Sequence, residues 1–152
     1  MFFSKSWNYA IRALIYLAEH RDEGQILSSD IAKEESIPGP FLVKILGTLA
    51  TANIVISTRG RNGGFRLKQE PDQITLMDIA RIFDFFQGSS KCLLGYGACE
   101  RDETCPIHKH WAEPERLIKE FLENTTLEKI SKLVPSNARK ALIDRNNSIR
   151  KL

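Results

Sequence analysis

Apolar residues recur at i, i+3, i+4 and i+7 through the first segment of the chain, at Trp7, Ala10, Ile11, Leu14, Ile15 and Ala18. That period predicts an amphipathic helix over residues 6–19 with one face turned to a core. The run Arg21-Asp22-Glu23-Gly24 breaks it. A short second helix is expected over residues 29–35, capped by Ser28 or Ser29, with Asp30 in its first turn to suit the dipole. Ile37-Pro38-Gly39-Pro40 reads as a tight turn, and a third helix follows over residues 40–52. Pro40 suits its first turn, where no amide donor is needed. Leu42, Ile45, Leu46 and Leu49 make the buried stripe of this helix, with Pro40, Lys44, Gly47 and Thr51 on the opposite face. Short helix, turn, longer helix is the helix-turn-helix order, in which the second helix enters a DNA major groove.

The period then changes from helical to alternating. Residues 54–58 are β-branched and apolar, and Phe65-Arg66-Leu67-Lys68 alternates inward and outward. Arg59-Gly60-Arg61-Asn62-Gly63-Gly64 between them is rich in residues that tolerate positive φ, so a β-hairpin with a basic tip is predicted. A hairpin straight after a helix-turn-helix is a wing, and arginines at its tip can reach phosphates or a narrow minor groove.

Downstream, residues 74–83 predict a linker helix, and a cysteine-bearing loop spans residues 86–106. Trp111, Leu117, Ile118, Phe121 and Leu122 then fall on one helical face, which would pack against a second copy of the chain or fold back on its own domain. Pro114 requires a kink in this helix or a new start at Glu113, because an interior proline removes a backbone hydrogen bond. Thr125-x-x-Glu128 reads as a capping box for a last short helix over residues 126–133, ended by Pro135. The tail beyond Pro135 has three open fates: phosphate contact, packing on a neighbouring subunit, or disorder.

Composition adds less than position does. A net charge of +3 is mild, but Thr58 to Lys68 carries Arg59, Arg61, Arg66 and Lys68 with no acid. A second basic stretch, residues 136–152, holds five Lys or Arg against the single Asp144. Two such segments suggest a polyanionic partner. No apolar run approaches the roughly 18 residues of a membrane span, and the first residues lack a signal-peptide core. A cytoplasmic protein with no membrane association is therefore expected.

The only cysteines, Cys92, Cys99 and Cys105, lie within fourteen residues, and His108 follows at Cys-x2-His spacing. An odd count argues against a disulfide framework. Soft thiolates gathered in one loop beside an imidazole can hold a transition metal or an iron–sulfur cluster. Glu100, Asp102, Glu103 and His110 are further potential ligands in the same neighbourhood. No nucleophile–base pair, phosphate-cradling glycine loop or pair of carboxylates appears outside this loop, so an enzyme is not expected.

Four segments together resemble the IscR/NsrR-type winged-helix regulators of bacteria, which couple an iron–sulfur cluster to transcription. They are YAIRALIYLA, STRGRNGGFRL, the cysteine trio with CPIHKHW, and NTTLEKI. The resemblance covers about residues 1–134. It implies a mainly α fold with a small β-hairpin wing, a winged helix-turn-helix domain plus a long dimerisation helix. The implied layout is a DNA-binding domain over residues 1–85, a cluster-binding loop over 86–106, a dimerisation helix and a short following helix over 107–134, and a basic tail over 135–152.

By the same resemblance, Cys92, Cys99 and Cys105 would ligate the cluster and His108 would be the fourth ligand. Other members use an acidic side chain from the partner's first helix, but this chain has Asn8 there. A neutral amide is a poor ligand for iron beside thiolates, which favours Cys3His ligation and [2Fe–2S] over [4Fe–4S]. Ser28, Pro40, Lys44, Arg59 and Arg61 would contact double-stranded DNA, and a homodimer would require a palindromic operator. The exposed face of the third helix is poor in Arg, Gln and Asn, so specificity would lean on the wing and on DNA shape. Two readings compete with a cluster-sensing regulator. One keeps the DNA-binding module but gives it a zinc ion or bare redox-active thiols. The other is an iron–sulfur carrier or adaptor without DNA binding.

Overall fold

The first helix runs Lys5–Glu19 (α1), one residue earlier than its apolar period suggests, because Ser4 caps it by accepting from the Trp7 amide at 3.1 Å. The structure is a computed structural model that describes residues 4–83 and 105–149. Ala10, Ile11, Ala13, Leu14, Ile15 and Leu17 of α1 are buried. The alanines let neighbouring helices approach closely, which makes α1 the hub of the core.

Ser28–Glu34 (α2) and Gly39–Thr51 (α3) form the helix-turn-helix. The residue before α2 is Leu27, so neither Ser28 nor Ser29 is its cap as expected; no side chain caps this helix. Its other end is well closed. Ser36 takes φ 49°, and the Ile37 amide reaches the Ala32 carbonyl at 2.9 Å while Ile37 itself is buried. This is a Schellman ending with serine in the left-handed position. The same device ends α3: Asn53 takes φ 62° and the Ile54 amide donates to the Leu49 carbonyl at 3.0 Å. The chain thereby turns directly into Val55–Thr58 (β1), which pairs antiparallel with Gly64–Leu67 (β2).

Leu76–Ile82 (α4) begins in a reciprocal capping box, in which Thr75 Oγ1 accepts from the Asp78 amide and Asp78 Oδ2 from the Thr75 amide, at 3.1 and 2.9 Å. Pro106–Asn124 (α5) runs without interruption through Pro114, so no new helix starts at Glu113. Leu127–Leu133 (α6) is capped by Thr126, whose side chain accepts from the Lys129 amide. The expected box on Thr125 and Glu128 is thus one residue out of register. Thr125 instead donates its hydroxyl to the Phe121 carbonyl at 2.5 Å and closes α5. The starts of α4 and α6 are stitched together, with the Leu76 amide on the Thr125 carbonyl and the Leu127 amide on the Ile74 carbonyl.

The segment after Pro135 forms Ser136–Ile149 (α7) on the chain's own α1 and α2. Arg139 is buried and forks onto Glu19 at 2.8 and 2.6 Å, while its Nε donates to Glu35 at 3.1 Å. Lys140 meets Glu34 at 2.5 Å. Burial works against the charge of Arg139, but the two carboxylates outweigh it and hold its pKa above the ordinary value. None of the three fates left open for the tail describes this arrangement. The core gathers α1, α3, α4 and α6 around Leu14, Leu17, Leu42, Leu46, Ile79 and Leu127, each with no more than 1 % exposed.

Candidate nucleic-acid interface

The inner stripe of α3 is as its period predicts: Leu42, Ile45, Leu46 and Leu49 are all buried. On the outside, Pro40, Lys44, Gly47 and Thr51 are exposed, and so are Phe41, Val43 and Thr48. The two threonine hydroxyls are turned inward on their own helix, Thr48 to the Lys44 carbonyl and Thr51 to the Gly47 carbonyl. Lys44 forms no ion pair with a described residue. Its ammonium is therefore available to a phosphate or base edge.

The wing is braced at its root. Ile26, two residues before α2, exchanges both backbone hydrogen bonds with Phe65 of β2, at 3.0 and 2.8 Å. This short bridge joins the entry to α2, and Ser28 at its first position, to the hairpin. With its amide turned so that oxygen and nitrogen both find partners, Gln25 adds a side-chain brace, donating to the Gly64 carbonyl at 3.1 Å and accepting from Thr58 Oγ1 and Arg66 Nε at 3.2 Å. At the tip, Gly60 has φ 103° and its carbonyl accepts from the Gly63 amide at 3.0 Å. Arg59 and Arg61 on either side of Gly60 are exposed and pair with no described acid. A braced hairpin carrying two free guanidinium groups is suited to grip a polyanion.

Of the candidate metal ligands, Cys92 and Cys99 lie outside the described residues, as do Glu100, Asp102 and Glu103. Cys105 is a half-buried free thiol at the cap of α5, and His108 occupies the first turn of that helix. Asn8 is half-buried on α1. Beyond Cys105 the predicted stripe of α5 divides. Leu122 is fully buried and Ile118 half-buried against the domain, whereas Leu117 and Phe121 are exposed. Ile107, at the start of α5, is exposed as well.

A family profile described as an iron-dependent transcriptional regulator, Rrf2, matches residues 3–132. The chain belongs to the Rrf2 family. The IscR regulator of Aliivibrio salmonicida is 30% identical over 139 residues, covering 91% of this chain and 80% of that protein. Among solved structures, CymR, the global cysteine regulator of B. subtilis, superposes with a TM-score of 0.74 at 29% identity, over 86% of this chain and 96% of its own. T. potens IscR does so with a TM-score of 0.69 at 28% identity, over 86% and 85% of the two chains.

Rrf2 membership makes this protein a transcriptional regulator with a winged-helix fold, not an enzyme. No described helix is long and apolar enough to cross a membrane. The structure adds Phe41 and Val43 to the exposed side of α3 and Gln25 to the wing root. The first two flank the buried stripe of α3 by about one residue's rotation, so their exposure could have been read from the period. Gln25 offers no such signal, because its partners are distant in sequence.

Removing the wing charges gives a direct measure of their role. Arg59→Ala and Arg61→Ala are each expected to weaken binding to duplexes of any sequence and to reduce the slope of log affinity against log salt by about 1. Fluorescence anisotropy across a salt series checks this. An unchanged slope in both variants would remove the wing from the phosphate contacts.

Proposed function

We propose that this Rrf2 regulator is a homodimer that reads iron–sulfur, redox or nitric oxide status through a cluster held by Cys92, Cys99, Cys105 and His108. The observation that carries the proposal is the position of Cys105, a free thiol at the cap of α5, with His108 one turn further along. The donor set of three thiolates and one imidazole suits a [2Fe–2S] cluster and also permits [4Fe–4S]. When bound, the cluster supplies a centre open to oxidation, nitrosylation and loss of iron. Cys105 ties that centre to the first turn of α5, so ligation there bears on the helix that carries Ile107, Leu117 and Phe121. Those exposed apolar residues support α5 as the dimer helix.

On this reading Ser28, Pro40, Lys44, Arg59 and Arg61 contact the operator, an imperfect palindrome that mirrors the two-fold of the dimer. Whatever the signal, the two states must differ in how the paired recognition helices are presented. The likeness to a cysteine regulator favours one alternative, the same winged-helix dimer with zinc or bare thiols in place of a cluster.

Visible absorbance with iron and sulfide assays on protein purified without oxygen separates the two. A coloured protein that bleaches in Cys92→Ala is expected. Protein still colourless after anaerobic reconstitution would discard the cluster and leave zinc or thiol sensing, since Zn²⁺ is spectroscopically silent.

A further inference from the structure

The exposed face of α3 is chemically unusual for a helix that reads base edges. Arg, Gln and Asn, which make bidentate contacts to guanine or adenine, are absent from Gly39–Thr51. Thr48 and Thr51 spend their hydroxyls on helix carbonyls at 3.1 and 3.0 Å. Apart from Lys44, what the helix offers outward is largely apolar: Phe41 is 63% exposed and Val43 53%. Phe41 stands in the first turn, the part of a recognition helix that meets base edges. Val43 lies one turn before Gly47. A Cβ built on Gly47 would meet nothing within 4 Å, so internal packing does not require glycine there. A glycine in mid-helix costs roughly 0.5–1 kcal/mol relative to alanine, and the open space points to a requirement outside the chain, close approach to another surface.

The chemistry that matches an apolar, donor-poor face in a major groove is the C5-methyl group of thymine, the one apolar feature among the base edges there. We propose that Phe41 and Val43 determine operator specificity by packing on thymine methyls, while Gly47 lets the helix sit deep enough for that contact. Lys44, between them, is the one charged side chain of α3 and reaches a phosphate or base edge. This proposal rests on the DNA-binding reading above and deepens it.

The test starts from full-length protein and a duplex selected by it from a random-sequence library. Thymines in each half-site are then replaced one at a time by deoxyuridine, which deletes only the methyl. At one or more positions, affinity should fall about three- to fivefold per methyl. Phe41→Ala or Val43→Ala should lower affinity for the thymine duplex and abolish the difference between thymine and deoxyuridine, leaving the salt slope unchanged. Gly47→Ala should melt no lower than wild type yet bind the selected duplex more weakly. A selected duplex that binds equally well with deoxyuridine at every position would overturn the methyl reading alone. Selection that enriches no sequence, with only salt-dominated binding, would overturn both this proposal and the operator-binding reading beneath it.

Discussion

Arg139→Ala is expected to destabilise the fold by about 3 kcal/mol, the range for removing one partner from a buried ion pair. The reason is the company Arg139 keeps. Glu35 is 3% exposed, and without Arg139 its remaining ion-pair partner among the described residues is Arg12, whose Nε stands 3.4 Å away. Glu19 would lose two short hydrogen bonds at the same time. The loss has a ceiling, because α7 can lift away and admit water to Glu35. Truncation after Pro135 should therefore cost about as much as the point substitution. Arg139→Lys should recover only part of the stability, since an ammonium cannot fork onto Glu19 while also reaching Glu35. Urea unfolding followed by circular dichroism measures all three. A loss below about 0.5 kcal/mol for Arg139→Ala would place the network among surface pairs of little consequence.

That network also shows why the tail was not legible in the sequence. The charges of residues 136–152 look like a solvated or DNA-facing run, and α7 has no apolar stripe to announce a buried face. Its docking depends on carboxylates 104 and 120 residues away. Local periodicity carries no information about such partners. Where burial is decided by local period, structure follows pattern: α1 and the hairpin lie near their expected bounds, and the inner stripe of α3 is buried. Helix caps were less well read. Thr125 and Thr126 are chemically equivalent neighbours, and the backbone pairing of Leu127 with Ile74 selects the second as the cap. The division of α5 into a packed edge at Ile118 and Leu122 and a free edge at Leu117 and Phe121 depends on where α4 lies, which a helical wheel does not contain.

The candidate site shares this mixture. Lys44, Arg59 and Arg61 are exposed as expected, because charged side chains on a wing and an outer helix face have no reason to be elsewhere. Ser28 is half-buried beside the wing root, a position set by the Ile26–Phe65 bridge rather than by anything in the serine's own neighbourhood. That bridge makes the helix-turn-helix and the wing one mechanical unit, so distortion at the wing root should be felt at both contact surfaces.

Gly64→Ala is accordingly expected to damage the wing at its root, where it joins α2. Gly64 has φ 152°, and a Cβ there would sit 2.5 Å from the Ile26 carbonyl oxygen and 2.8 Å from its carbon. Both atoms are backbone, held by the reciprocal Ile26–Phe65 hydrogen bonds, so no side-chain rotation relieves the overlap. Strain of this kind costs on the order of 1–3 kcal/mol, and separating the bridge forfeits hydrogen bonds of about 1 kcal/mol each. Gly60→Ala is the matched control. Its φ of 103° is also unfavourable for alanine, but a Cβ there meets nothing within 4 Å. It should carry backbone strain alone, with the wing still attached. Thermal melts should therefore rank wild type above Gly60→Ala and Gly60→Ala above Gly64→Ala. DNA affinity should fall more in Gly64→Ala than in Arg59→Ala, because a loosened wing misplaces both arginines together. Equal melting and equal affinity for the two alanine variants would mean that the wing tolerates separation from α2, and that the two surfaces act independently.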